Sequence, residues 1–286
     1  MTSPLPFQQV DVFTAVPFTG NPVAVVLEAD GLSASEMQRI AHWTNLSETT
    51  FVCTPDHPDA DYKLRIFTPN SELPFAGHPT LGSAHAVLQH GIKPKTPGRL
   101  VQECRIGLVD IRIDHDEIFF TLPEAEIKEV DPQMMLSLMD ALDINADDVK
   151  YSRVVDIGAV WVTLQLPSDE IVGKLIPDMQ KLSSIIPDGI TGVTVFGETD
   201  PNSRTQFEVR SFAPNEGVPE DPVCGSGNGC VANMVKLFNL INEDRYTASQ
   251  GSRVKRDGYI EVRFKEDGRI ELGGHTVTCV DGTLNS

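Results

Sequence analysis

The feature that most limits what this chain can become is an internal repeat. Arg65-Ile-Phe67-Thr-Pro69-Asn70 matches Arg210-Ser-Phe212-Ala-Pro214-Asn215 at four of six positions, at an offset of 145. Each copy runs through a Pro-containing loop to a glycine and then a small-residue helical stretch. In the first copy that start is Gly77-His78-Pro79-Thr80, and in the second Gly225-Ser226-Gly227-Asn228. The offset there has grown to 148, so the second loop carries three extra residues. Val10-Asp11-Val12 and Val155-Asp156-Ile157 add a weaker match at 145. Solenoid repeats recur every 20–50 residues, so a spacing this long implies two copies of one domain. The length of 286 residues holds two ordinary domains.

Periodicity predicts mostly strands with a few helices. Strands are expected at 7–13, 22–27, 49–53, 62–68, 100–105, 109–114, 117–122, 154–166, 191–196, 206–212, 259–265, 269–272 and 276–281. Helices are expected at 35–43, capped by Ser33 or Ser35, and at 79–90, 132–142 and 229–238. Pro79 suits a first helical turn, where its missing N–H is not needed. The fold class is therefore α+β. Each half offers several strands and one apolar helix after a glycine loop, and a curled sheet wrapped round that helix buries both.

The charge balance removes several function classes. With 23 Lys+Arg against 41 Asp+Glu, the net charge is −18. That is no footprint for nucleic acid or an anionic membrane. Small anions remain possible, because they answer to local dipoles. No segment has the ~18 consecutive apolar residues of a membrane span. Met1-Thr-Ser-Pro-Leu-Pro lacks the basic and apolar regions of a signal peptide. Five scattered cysteines (Cys53, Cys104, Cys224, Cys230, Cys279) suit a reduced, cytoplasmic compartment. Without C-x-x-C or H-E-x-x-H spacing, no metal site is expected.

Candidate chemistry gathers at the two helix starts. Backbone N–H groups at Gly77 and Gly225 would lie at positive dipole ends, which hold carboxylates without a basic side chain. Ordinary capping explains one such start, but two related by a repeat favour a shared cleft. Gly225-x-Gly227-x-Gly229 is not a dinucleotide loop, because Cys230 stands where the last glycine belongs and 219–222 do not read as a strand. No ATP-binding loop is present either. Glu48, in Asn45-Leu-Ser-Glu48-Thr-Thr-Phe, enters an apolar strand. It is either a solvated turn residue or a carboxyl whose pKa burial would raise for general acid/base work. Asp221 either faces the same site or turns the chain before Pro222. His78 is a loop residue or a proton relay. Cys224 would have its thiol pKa lowered by the helix start. Its counterpart is Ala76, so no two-thiol mechanism is available.

Four segments carry a resemblance. They are Phe13-Thr-x-x-Pro-Phe-Thr-Gly-Asn21-Pro, Asn45-Leu-Ser-Glu48, Arg65-Ile-Phe-Thr-Pro-Asn-Ser-Glu-Leu-Pro-Phe-Ala-Gly77-His78-Pro and Glu220-Asp221-Pro-Val-Cys-Gly225-Ser226-Gly. With the tail Gly273-Gly-His-Thr-Val-Thr-Cys-Val-Asp-Gly282, they resemble the PhzF-like phenazine biosynthesis isomerase family, of diaminopimelate epimerase-like fold. The resemblance implies two pseudo-symmetric barrel-like halves with the active site in the cleft between them. The expected domains are 1–125, completed by 274–286, and 126–273. It implies a homodimer that uses no cofactor and acts on a small unsaturated or cyclic carboxylate. Glu48 would move the proton, assisted by His78 and Asp221. Gly77, Gly225 and Ser226, with Asn21 and Cys224, would bind substrate. Cys224 stands where many members are expected to have Thr. Two alternatives stay open: a one-thiol racemase or epimerase using Cys224, and a binding protein without turnover.

Overall fold

The computed structural model describes residues 4–285. The leader reading of Met1-Thr2-Ser3 therefore lies partly outside the described residues. The chain divides into two units, Met1–Thr121 with Gly273–Ser286, and Leu122–Leu272.

In chain order the first unit runs β1 (Leu5–Val12), β2 (Asn21–Val26), α1 (Ala34–Thr44), β3 (Thr49–Cys53), β4 (Tyr62–Phe67), β5 (Glu72–Leu73), α2 (Gly77–Gln89), β6 (Arg99–Cys104), β7 (Gly107–Asp114) and β8 (Glu117–Thr121). The second continues with β9 (Glu126–Lys128), α3 (Pro132–Leu142), β10 (Tyr151–Asp156), β11 (Val160–Leu166), α4 (Asp169–Lys174), α5 (Met179–Ile185), β12 (Gly192–Glu198), β13 (Phe207–Ala213), β14 (Val218–Asp221), α6 (Gly225–Phe238), β15 (Arg245–Gln250) and β16 (Gly258–Phe264). A last long strand, β17 (Ile270–Leu284), begins in the second unit and ends in the first.

The two units share one strand plan. In the first, β1 pairs antiparallel with β2, β2 parallel with β3, β3 antiparallel with β4, and β4 parallel with β6. Antiparallel β6–β7 and β7–β8 pairs follow, and β17 bonds both β8 and β1. That closes an eight-stranded barrel, which leaves no open edge. In the second, β10–β11 is antiparallel, β11–β12 parallel, β12–β13 antiparallel, β13–β15 parallel and β15–β16 antiparallel. Short β9 lies on β10 as the end of β17 lies on β1.

Each sheet encloses its glycine-led helix. α2 packs against β1, β2, β3, β4 and β8, and α6 against β10, β11, β12, β13 and β16. Both helices are buried over most of their length and carry small residues where strands press close. At Gly82 a Cβ would strike Val23 and Val12, so only glycine fits. Other helices cover outer faces. α1 starts at a Ser33/Glu36 capping box, which satisfies donors in both directions, and buries Met37 and Ala41 against Val26 and Phe51. α3, α4 and α5 bury Leu138, Val172 and Leu182 against β11 and β12.

The repeat read from sequence is a structural repeat. Arg65 makes a paired contact with Glu72 at 2.8 and 2.9 Å, and Arg210 makes the same contact with Glu220 at 2.9 and 2.8 Å. The arginines are 145 apart and the glutamates 148. The three extra residues fall in a loop that winds as a 3-10 turn, Pro214–Glu216, and leaves through Gly217 at φ 79°.

Several boundaries differ from the sequence reading. The expected strand 154–166 is a hairpin. Asp156 Oδ1 accepts from Gly158 N at 2.8 Å, and Gly158 takes φ 98°, which breaks the run. The expected strands 269–272 and 276–281 are one, because Gly273 lies flat on β8, where a Cβ would strike Ile118 O and Phe119. β15 was not anticipated. Its outer positions are polar, and only Tyr246, Ala248 and Gln250 face inward. α4 and α5 are too short to show a period. Both central helices begin two to four residues earlier than expected, at Gly77 and Gly225. Residues 218–221 are a strand after all, so the case against a dinucleotide loop rests on Cys230 alone.

Candidate active site

In the first unit, Asn45 ends α1 in the left-handed region at φ 54°, and its N–H donates to Ala41 O at 3.3 Å. That turn delivers Glu48 to the residue just before β3. Its main chain is fixed there, because Glu48 O accepts from Ala24 N at 3.4 Å. His78 is the second residue of α2 and is buried. Its Nε2 lies 3.3 Å from Glu48 Oε2. The Glu48 side chain is 16% exposed, so it is no solvated turn residue. Burial pushes its pKa from 4.5 up to about 7, and a hydrogen bond from Ser47 only partly opposes this. A carboxyl poised there can both take and give a proton near neutrality.

Gly77 begins α2 after Ala76, which has no side chain able to cap. A Cβ on Gly77 would come within 2.8 Å of Phe120 Cζ, and Phe120 is itself held edge-on by Phe75. Glycine thus lets the helix start press against β8. Asn21 opens β2, is buried, and pairs with Val12 on β1.

In the second unit, Asp221 ends β14, and its Oδ1 accepts from Val223 N at 3.1 Å. One carboxylate oxygen thus holds the turn before Val223. Cys224 is the cap of α6. Its Sγ accepts from Gly227 N at 3.2 Å and lies 3.6 Å from Ser226 Oγ. Burial pushes the Cys224 thiol well above 9.0, and the Asp221 charge adds to the rise, outweighing the Ser226, Gly227 and Ser211 contacts. Burial thus works against the lowering expected from the helix start and favours the protonated thiol. With Gly227 N–H taken by sulfur, Gly225 and Ser226 supply the remaining first-turn N–H groups. Ser226 Oγ accepts from Trp161 Nε1 at 3.0 Å.

Two residues that order this site were missed from sequence. Gln250, on β15, accepts at Oε1 from Cys224 N at 3.1 Å and from Asn228 Nδ2 at 2.7 Å. Its Nε2 donates to Asp221 O at 2.9 Å. One buried amide thus ties the Asp221 loop to the start of α6. Its counterpart Gln102 lies 148 positions earlier and donates to Thr80 Oγ1 at 3.1 Å, while accepting from Tyr62 OH at 2.9 Å. Thr80 and Asn228 are also 148 apart, so extending the repeat past the helices would have found both glutamines. Trp161 has no such signal.

Among the described residues no group of three or more His, Cys, Asp or Glu is placed to hold a metal ion. No described helix is long and apolar enough to cross a membrane.

Residues 10–282 match the family model described as phenazine biosynthesis-like protein. Antisense-enhancing sequence 1 of Schizosaccharomyces pombe is 41% identical, with 96% of this chain and 97% of that protein covered. The trans-2,3-dihydro-3-hydroxyanthranilate isomerase of Pseudomonas chlororaphis is 33% identical over the same shares of the two chains. The crystal structure of the Bacillus anthracis phenazine biosynthesis protein of the PhzF family superposes with a TM-score of 0.86, covering all of both chains at 21% identity. That likeness gives the fold, the diaminopimelate epimerase-like arrangement.

Proposed function

The chain is an isomerase of the phenazine biosynthesis-like (PhzF) family, and from that premise we propose that it shifts a proton within a small unsaturated or cyclic carboxylate, with Glu48 as general acid/base. The observation that carries this is the Glu48–His78 pair, at 3.3 Å, with Glu48 raised to about 7. Ionised Glu48 takes a proton from an sp³ carbon of the substrate. The electron pair left behind spreads through the adjoining double bonds toward the carboxylate, and protonated Glu48 returns the proton to the far carbon. Atoms and charge balance without a cofactor. His78 steadies Glu48 in each protonation state, and Asp221 assists as relay. Gly77, Gly225, Ser226 and Asn21 are the residues assigned to substrate binding, with the helix-start N–H groups suited to offset charge developing on a carboxylate. The reading includes a cytoplasmic homodimer, for which five free cysteines and the family resemblance are the support.

By analogy with the P. chlororaphis relative, trans-2,3-dihydro-3-hydroxyanthranilate is the first substrate to try. The test is incubation of that acid, and a panel of small cyclic unsaturated acids, in D₂O with NMR detection. Deuterium should enter one carbon, and Glu48→Gln should slow its entry ~10²–10⁴-fold. Near wild-type exchange in that variant removes Glu48 from the role. Tight binding with no deuterium entry in any acid leaves the binding-protein alternative instead.

A further inference from the structure

His78 and Ser226 hold the same place in the two copies, second in their helices and 148 positions apart. Their surroundings have diverged. In the parallel pairs, Ala24 lies opposite Thr49 and Thr163 opposite Thr194. Thr49 and Thr194 are 145 apart, so the place of Glu48 is taken in the second unit by Val193. No carboxylate faces Ser226 from that position. Trp161, two residues before Thr163 on β11, donates to it instead. The indole is 2% exposed. Space for it is made by Gly192, where a Cβ would come within 2.8 Å of Trp161 Cζ3.

An indole N–H can only donate, and a serine hydroxyl has one proton and two lone pairs. With one lone pair filled by Trp161, the Ser226 proton turns to the remaining acceptors, which are Cys224 Sγ at 3.6 Å or a bound anion. A neutral thiol is a poor acceptor, and a carboxylate is a strong one. We propose that Trp161 is a positioning residue for carboxylate binding: its N–H holds Ser226 Oγ so that the hydroxyl proton is presented to the acid. The copy without the acid/base pair carries an oriented donor in its place. This deepens the function proposed above and rests on Ser226 binding the substrate carboxylate.

The chain has two tryptophans, and Trp43 is 79% exposed on α1. Trp43→Phe therefore leaves Trp161 as a single fluorescent reporter beside the anion. The probe is cyclohex-1-ene-carboxylate, with the matching neutral alcohol as control. The expected result is a saturable change in Trp161 emission with the acid and none with the alcohol. Ser226→Ala should abolish the response, and calorimetry should show the acid bound about tenfold more weakly by Trp161→Phe. In turnover, that variant should raise KM about tenfold with kcat within about twofold, a split that general loosening would not give. Acid that binds by calorimetry without moving Trp161 emission overturns the proposal, as does an unchanged affinity in a folded Trp161→Phe. Acid that fails to bind overturns it too. Deuterium uptake measured alongside then separates the cases: uptake without Trp161 involvement leaves proton transfer standing, and its absence takes down the parent reading.

Discussion

Glu48 Oε2 and His78 Nε2 lie 3.3 Å apart, one on the chain entering a strand and the other on the first turn of the helix inside the barrel. The contact puts Glu48 where burial decides its charge, and burial has a price in stability. A carboxyl whose pKa climbs from 4.5 to about 7 on folding binds its proton more tightly in the native state. Stability must therefore fall as pH rises from about 4.5 through 7, by up to ~3 kcal/mol, with the full loss above about 7. Glu48→Gln has no such titration. Its Tm should exceed the wild type's at pH 8 by several degrees, at roughly 2–4 °C per kcal/mol, and match it at pH 4. Parallel melts across pH check this, and equal Tm at pH 8 refutes it. Activity should run the other way, with kcat/KM rising with pH up to about 7 as Glu48 becomes a base.

Cys224 should behave as a structural residue. Its thiol is buried and pushed well above 9.0, so iodoacetamide at pH 8 should leave it unmodified in the folded protein, as mass spectrometry would show. Cys224→Ser keeps a side-chain acceptor for Gly227 N–H and should retain turnover within a few-fold. Rapid alkylation at Cys224 with loss of activity would restore the one-thiol alternative.

The two buried glutamines should differ in worth. Gln250→Leu strands Cys224 N–H, one N–H of the Asn228 amide and Asp221 C=O at once. Gln102→Leu strands two hydroxyls, of Tyr62 and Thr80, which can rotate toward other partners. Each stranded buried group costs about 1–3 kcal/mol. Urea melts should show Gln250→Leu the more destabilised, by about 2 kcal/mol or more, and equal midpoints would contradict this.

The repeated arginine–glutamate pairs offer a matched comparison. Arg210 and Glu220 side chains are 5% and 11% exposed, while Arg65 and Glu72 are 25% and 21% exposed. Arg210 also donates to Val172 O and Leu175 O at 3.0 and 2.9 Å, closing the end of α4. Arg210→Met should cost about 3–5 kcal/mol, because it leaves a buried carboxylate alone. Arg65→Met should cost nearer 1 kcal/mol, since water still reaches Glu72. Denaturant titration of both variants decides it.

Much of this was legible in the chain because duplication writes itself as spacing. The offset of 145 and its growth to 148 mark the matched arginines, the inserted turn and the two glycine-led segments where α2 and α6 begin. Glu48 was legible as a candidate and no more, since its burial depends on α2, thirty residues away. The sign of the Cys224 shift was misjudged for the same reason. A helix start lowers a thiol's pKa only where water or a cation shares the site, and here sulfur is enclosed. Gln250 went unseen because β15 alternates polar residues outward and offers no apolar run. Gly158 and Gly273 look alike in sequence, yet one breaks a strand at φ 98° and the other lies within β17 against a neighbour.

That last strand sets an order of events during synthesis. Residues 276–284 supply the partner of β1, with Leu5 opposite Leu284 and Val12 opposite Thr276. A ribosome delivers Leu5 long before Leu284. Until then the first barrel stands with one side of β1 unpaired, an edge able to recruit another chain. Nascent protein should be most prone to aggregate before residues 276–284 emerge, and their deletion should harm the first barrel more than the second unit from which β17 sets out.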